Sequence, residues 1–155
     1  RWFLRDVWPL VESKNVKCFF AGRHMPKDIE ALAGENIKIL GEVKSAKDFL
    51  NQLDLLIVPL QSGSGVRIKV LESMAYGLPI LATKMGYEGI HAQNGVSILE
   101  ANTAQNFAAK IDQVANNQVD LNALAQQAQV VLTKQHSPIK AAELLVTKIS
   151  KSKSE

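Results

Sequence analysis

Residues 59–79 read PLQSGSGVRIKVLESMAYGLP, and their order decides the fold. The run DLLIVPL (54–60) that enters this stretch is apolar almost throughout, as a strand buried on both faces must be. Gln61 to Gly65 then form a turn with almost no side-chain bulk. The apolar spacing predicts a helix from near Val66 to Tyr76, stopped by Gly77, because glycine accepts the left-handed backbone that ends helices. PILAT (79–83) starts the next strand. Strand, glycine-rich turn, helix, strand is the repeating unit of a parallel α/β sheet.

The same alternation runs outward in both directions. Upstream, RWFLRDVWPLVES (1–13) has helical spacing, VKCFFAGR (16–23) and NIKILG (36–41) read as strands, and PKDIEALA (26–33) and SAKDFLNQL (45–53) as short helices. Pro26 fits a first helical position and Ser45 an N-cap. Downstream, GVSILE (95–100) reads as a strand. Helices follow over 103–117, 121–135 and 137–151, the last with Ser137 as cap and Pro138 behind it. The expectation is an α/β, Rossmann-like, doubly wound and mostly parallel sheet with helices on both faces. Residues 1–150 form its one domain and 151–155 a disordered tail. The strands end at Gly22, Gly41, Pro59 and Thr83, and open α/β sheets bind ligands at their carboxyl ends.

The chemistry of the quoted stretch points to an anion. A helix start carries unpaired N–H groups and the positive end of the macrodipole, and glycines let a phosphate approach them. Arg67 and Lys69 at that end oppose the dipole, a local cost that a bound diphosphate would reverse. Glu72 lies too far along the helix to cap it. A carboxylate there can accept hydrogen bonds from two adjacent hydroxyls, such as a ribose diol. It can equally well pair with Lys69 three residues earlier. From this helix alone both readings stay open.

At this point the chain resembles the donor-binding, C-terminal domain of GT-B glycosyltransferases of the group 1 (family 4) type. VLESMAYGLPILAT matches their LEAMA helix followed by G-x-P-(V/I)-(V/I)-x-T, with Ser73 where alanine is common. WFLRDVWPLV, FFAGRHMP, IKILGEV and HSPIKAAEL extend the likeness over nearly the whole chain. The resemblance implies a nucleotide diphosphate sugar as donor and a retaining transfer of its sugar to an acceptor glycan or lipid-linked glycan. Glu72 would hold the ribose hydroxyls. Arg67, Lys69 and the backbone of Gly63, Ser64 and Gly65 would meet the diphosphate. Gly22 and Arg23 would lie on the nucleotide side, Val43 against the base, and Glu88 near the donor or at the start of the next helix.

The resemblance also implies pieces outside these residues: an acceptor domain, and a first strand of the donor sheet with an Arg- and Lys-bearing loop. Without that strand, either VKCFFA and LLIVPL close up or the sheet pairs with another chain. This fragment alone is expected to bind nucleotide but to have little or no activity. The first glutamate of the family's E-x7-E pattern falls at Ser64, which leaves the sugar open. No metal or other cofactor is implied, because helix amides and cations can stabilise a leaving diphosphate. A cytoplasmic place follows from the nucleotide-sugar supply, and peripheral membrane association of the whole enzyme is compatible with the type.

Composition narrows the alternatives. The 155 residues are 46% apolar and 21% charged, as in soluble globular domains, with a net charge of +3 spread over both halves. No basic stripe interleaved with aromatics marks a nucleic-acid surface. The terminal KISKSKSE reads as a solvated end, with a membrane-surface role the weaker reading. The single cysteine, Cys18, sits in an apolar run and reads as an inert buried thiol. His24, His91 and His136 are isolated, without partners at metal-ligand spacing. Trp2, Trp8 and Met74 read as core. Two other functions remain: a non-catalytic nucleotide- or partner-binding module of the same fold, and another GT-B enzyme such as a nucleotide-sugar epimerase.

Overall fold

The computed structural model describes residues 1–63, 65 and 67–135. Ser64, the expected helix over 137–151 and the tail over 151–155 lie outside these residues. Five short strands, β1 (Cys18–Ala21), β2 (Ile37–Gly41), β3 (Leu56–Val58), β4 (Ile80–Ala82) and β5 (Leu99–Glu100), all pair in parallel. Between and after them run α1 (Lys27–Glu30), α2 (Ala46–Leu50), α3 (Ile68–Tyr76), α4 (Ala104–Ala115) and α5 (Leu121–Gln135). The opening segment is helical but shorter than its spacing predicts. A π-helical turn over Phe3–Val7 gives way to a 3-10 turn over Trp8–Leu10, and Val11 is already extended. Pro9, which lacks an N–H and crowds the preceding turn, accounts for the break.

Helices cover both faces of the β3–β4–β5 sheet. Leu81 and Leu99 point into one core with Phe3, Val7, Phe107 and Ile111, from the opening turns and α4. Ile80, Ala82 and Ile98 point into the other, with Val70 and Met74 of α3 and Ala128 of α5. Alternate residues of one strand thus feed opposite cores. The tryptophans behave as expected: Trp2 packs edge-on against Phe107 at 5.9 Å, and Trp8 lies 6.0 Å from Phe3. Cys18 is buried, which pushes its thiol up to about 12 and leaves it inert at neutral pH.

Capping follows the sequence signals closely. Ser45 accepts from the Asp48 N–H at the start of α2, and Thr103 does so from Asn106 at α4. Gly77 sits at φ 69° and ends α3, where the Leu78 N–H reaches back to the Ser73 carbonyl at 2.9 Å. Pro26 stands one residue earlier than expected, at the N-cap of α1. α3 begins at Ile68, two residues later than expected, because Arg67, at φ −82° and ψ 62°, still lies outside the helical backbone.

The sheet is divided. β1 and β2 form one piece, and β3, β4 and β5 another. In a parallel ladder alternate residues face alternate neighbours. Cys18 and Gly22 donate towards β2, so the backbone of Phe19 and Ala21 turns the other way. Leu56 donates to Pro79, and Val58 accepts from Thr83, so Ile57 likewise turns away from β4. Between these edges lies a mostly apolar groove of about 710 Å³. Of the two expected arrangements, closure of β1 onto β3 is therefore not the one formed.

The turn after β4, Lys84–Tyr87, is tied down from several sides. The Gly86 N–H donates to the Thr83 hydroxyl at 3.1 Å, and the Lys84 N–H to the Asn102 side-chain oxygen at 2.7 Å. The Tyr87 hydroxyl donates to Glu100, whose other oxygen accepts from Asn102 at 2.8 Å. Gly86 is required for space: a Cβ would lie 2.4 Å from the Val58 carbonyl oxygen.

Three outcomes test this packing. Gly86→Ala should cost about 1–3 kcal/mol, the usual range for overpacking, read from the urea midpoint. Ser73 is fully buried in α3 with its hydroxyl unpartnered among the described residues, so Ser73→Ala should be neutral or stabilising by about 1 kcal/mol in the same assay. The Tyr87 hydrogen bond, aided by Asn102 and Lys84 against the effect of burial, holds Glu100 below the ordinary carboxylate range. A carboxylate with a lowered folded pKa adds stability above its unfolded pKa and loses it as pH falls. The stability gap between the native chain and Glu100→Gln should therefore be full at pH 7 and shrink between about pH 5 and pH 3.

Candidate functional site

The groove opens at the carboxyl ends of the strands, and there the sequence-predicted residues separate into two groups. Gly22, Arg23, Val43, Pro59 and Lys69 all line it. Gly22 and Arg23 follow β1 directly, and the Gly22 N–H is fixed to the Gly41 carbonyl at 2.7 Å. Val43 follows β2, two residues beyond Gly41. These two loops come together because β1 and β2 are parallel neighbours. Lys69 reaches the same groove from the first turn of α3.

Lys69 and Glu72 form an ion pair at 2.7 Å, three residues apart on α3, with the lysine side chain 64% exposed. The surface-pair reading of Glu72 is thus realised in the ligand-free chain. Such an exposed pair is worth little, so an incoming anion can replace the carboxylate at small cost. Arg23 is engaged as well: its Nε donates to Glu42 at 2.7 Å. Glu42 was not singled out from sequence, although a carboxylate directly after the strand-ending Gly41 was a usable signal.

The second group lies behind the glycine-rich turn. Arg67 is not in the first helical turn but at the N-cap of α3. Its side chain is only 8% exposed and is aimed at the turn after β4. Nε donates to the Met85 carbonyl at 3.0 Å and Nη2 to the Gly63 carbonyl at 2.9 Å. The Glu88 carboxylate lies 3.7 Å from Nη2. Glu88 closes the Lys84–Tyr87 turn, and the residues after it form no helix, so the expected helix-start role does not arise. Gly63 holds φ 127° and Gly65 φ 106°, conformations reserved for glycine.

His24 is exposed, at φ 54°. Among the described residues no group of three or more His, Cys, Asp or Glu could hold a metal ion. No described helix is long and apolar enough to cross a membrane. The groove offers strand-end backbone and a half-buried Val43 on one side and the Lys69 cation on the other, with Glu72 paired to that lysine. Those groups suit a ligand with a flat ring, vicinal hydroxyls and a diphosphate.

Comparison with known proteins bears on the fold and the family. An uncharacterized 44.6 kDa protein in the cps region of Klebsiella pneumoniae is 27% identical over 128 residues, 75% of this chain and 33% of that protein. Anabaena HepE, solved in complex with UDP, superposes with a TM-score of 0.75 at 17% identity, over 90% of this chain and 42% of that one. HepE in complex with UDP-glucose gives a TM-score of 0.74. TarM gives 0.75 at 21% identity, over 94% of this chain and 31% of that one. The chain thus spans about a third of the curated relative and less than half of these solved proteins. The structural likeness shows a shared fold, the Rossmann-like domain of GT-B glycosyltransferases. The family model for glycosyl transferases group 1 matches residues 1–117, the stretch that holds every residue of the site, and the chain belongs to that family.

Proposed function

We propose that this chain is the donor-binding domain of a retaining glycosyltransferase that passes a sugar from a nucleoside diphosphate to a glycan or lipid-linked glycan. One observation carries the proposal: strand-end residues of β1 and β2 share a groove with Lys69 of α3, whose ion-pair partner is Glu72. The base lies against Val43 and the loop after β1. Lys69 and the amides of the glycine-rich turn, Ser64 and Gly65 among them, receive the diphosphate. Glu72, released from Lys69 as the diphosphate arrives, accepts the two ribose hydroxyls. Uracil is the leading base, in line with the UDP and UDP-glucose held by HepE.

The chemistry asked of this half is electrostatic. As the sugar leaves, negative charge grows on the diphosphate, and a fixed cation with pre-aimed amides stabilises it. The acceptor and the remaining reacting groups belong to the other domain of the whole enzyme. A cytoplasmic, peripherally membrane-associated enzyme fits such a substrate pair. Lys69 and the helix-start amides carry the charge in this proposal, so it invokes no metal ion.

A second reading, a non-catalytic partner-binding module, draws on the fact that Glu72 and Glu42 are each already paired with a cation. Calorimetric titration with UDP, GDP and ADP separates the two. The donor reading expects UDP to bind, and Glu72→Ala to weaken it about tenfold or more, the usual effect of losing hydrogen bonds to a charged group. Equal UDP affinity in the two proteins would favour the module. Failure of all three nucleotides to bind either this chain or the longer enzyme would overturn the donor reading.

A further inference from the structure

We infer that Arg67 is a positioning residue: it shapes the glycine-rich turn by hanging it from the turn after β4, and it does not itself contact the anion. This inference rests on the donor reading for its consequence, but the clamp itself stands on geometry alone.

The guanidinium has five N–H donors in a rigid fork, and here the fork is turned inward. Nε and Nη2 are spent on two backbone carbonyls, Met85 and Gly63, that lie in different loops. Burial to 8% exposure leaves little of the group facing solvent, and Glu88 sits beside it to balance the charge. A cation meant to receive a soluble diphosphate is better placed like Lys69, which is 64% exposed and held by one replaceable partner.

The turn needs such support. Gly63 and Gly65 have many backbone alternatives open to glycine, so their conformation depends on outside contacts. Among the hydrogen bonds of the described residues, the Thr83 hydroxyl donates to the Leu60 carbonyl at the start of the turn, and Arg67 links the Gly63 carbonyl in its middle to the Met85 carbonyl after β4. That segment is in turn fixed by Asn102, Glu100 and the close approach of Gly86 to Val58. Rigidity at the end of β5 is therefore passed through the Lys84–Tyr87 turn and Arg67 to the glycine-rich turn. A preorganised turn binds an anion without first losing conformational freedom.

Lysine at position 67 separates positioning from contact. It keeps the positive charge but has one donor centre and cannot serve two carbonyls in a fixed fork. The probe is inorganic diphosphate, titrated calorimetrically into the native chain, Arg67→Lys and Arg67→Ala. Amide exchange of Gly63 and Gly65 is followed in the same proteins without ligand. The inference expects both variants to lose affinity alike, by about tenfold or more, and both to exchange faster at these glycines. It is overturned if Arg67→Lys keeps native affinity while Arg67→Ala loses it, since the charge would then be touching the anion. Unchanged exchange in both variants would overturn it as well. If the native chain binds no inorganic diphosphate, the exchange arm decides the clamp, and the nucleotide titrations decide the donor reading separately. Protected amides in β4 and α4 serve as the measure that each variant is folded.

Discussion

Among the described strands, β4 alone has a partner on each edge and a packed core on each face. Ile80, Leu81 and Ala82 are fully buried, with no room for a polar side chain in any direction. That one constraint fixes much else. β3 and β5 are aligned by it, α3 and α5 are held against Ile80 and Ala82, and α4 with the opening turns against Leu81. Because the strand is so short, its carboxyl end falls within a few residues of the glycine-rich turn. The approach of Gly86 to the Val58 carbonyl then leaves the chain a single path out of β4.

Much of this was legible in the residues. The alternation of apolar runs with amphipathic segments gave the parallel α/β class, because strands buried on both faces leave a simple compositional mark. Glycine at 77 and serine at 45 announced their caps, since each works through its own local backbone. The less legible parts depend on contacts distant in sequence. Pro9 shortened the opening helix by geometry that periodicity does not register. The division of the sheet is a property of pairing, and no single run contains it.

The site shows the same split between local and distant. Gly22 and Lys69 were found because strand ends and helix starts are readable, Val43 came from the family resemblance, and the fold gathers all three on one groove. Arg67 was also found, but its direction was not. Its partners are backbone carbonyls, at Gly63 and at Met85 eighteen residues on, and carbonyls have no signature in sequence. The pairing of Lys69 with Glu72 was one of two open readings, and the two side chains meet at 2.7 Å.

The divided sheet has a consequence for how the chain comes apart. Two pieces without shared ladder bonds need not melt together: the β1–β2 piece can open while the β3–β4–β5 piece stays folded. Gly22 and Val43 belong to the first piece, Lys69 and Glu72 to the second. A molecule lodged between them would act as a staple across the seam, so that opening either piece would also mean giving up the ligand. Unfolding of this protein should then become more cooperative as the groove fills.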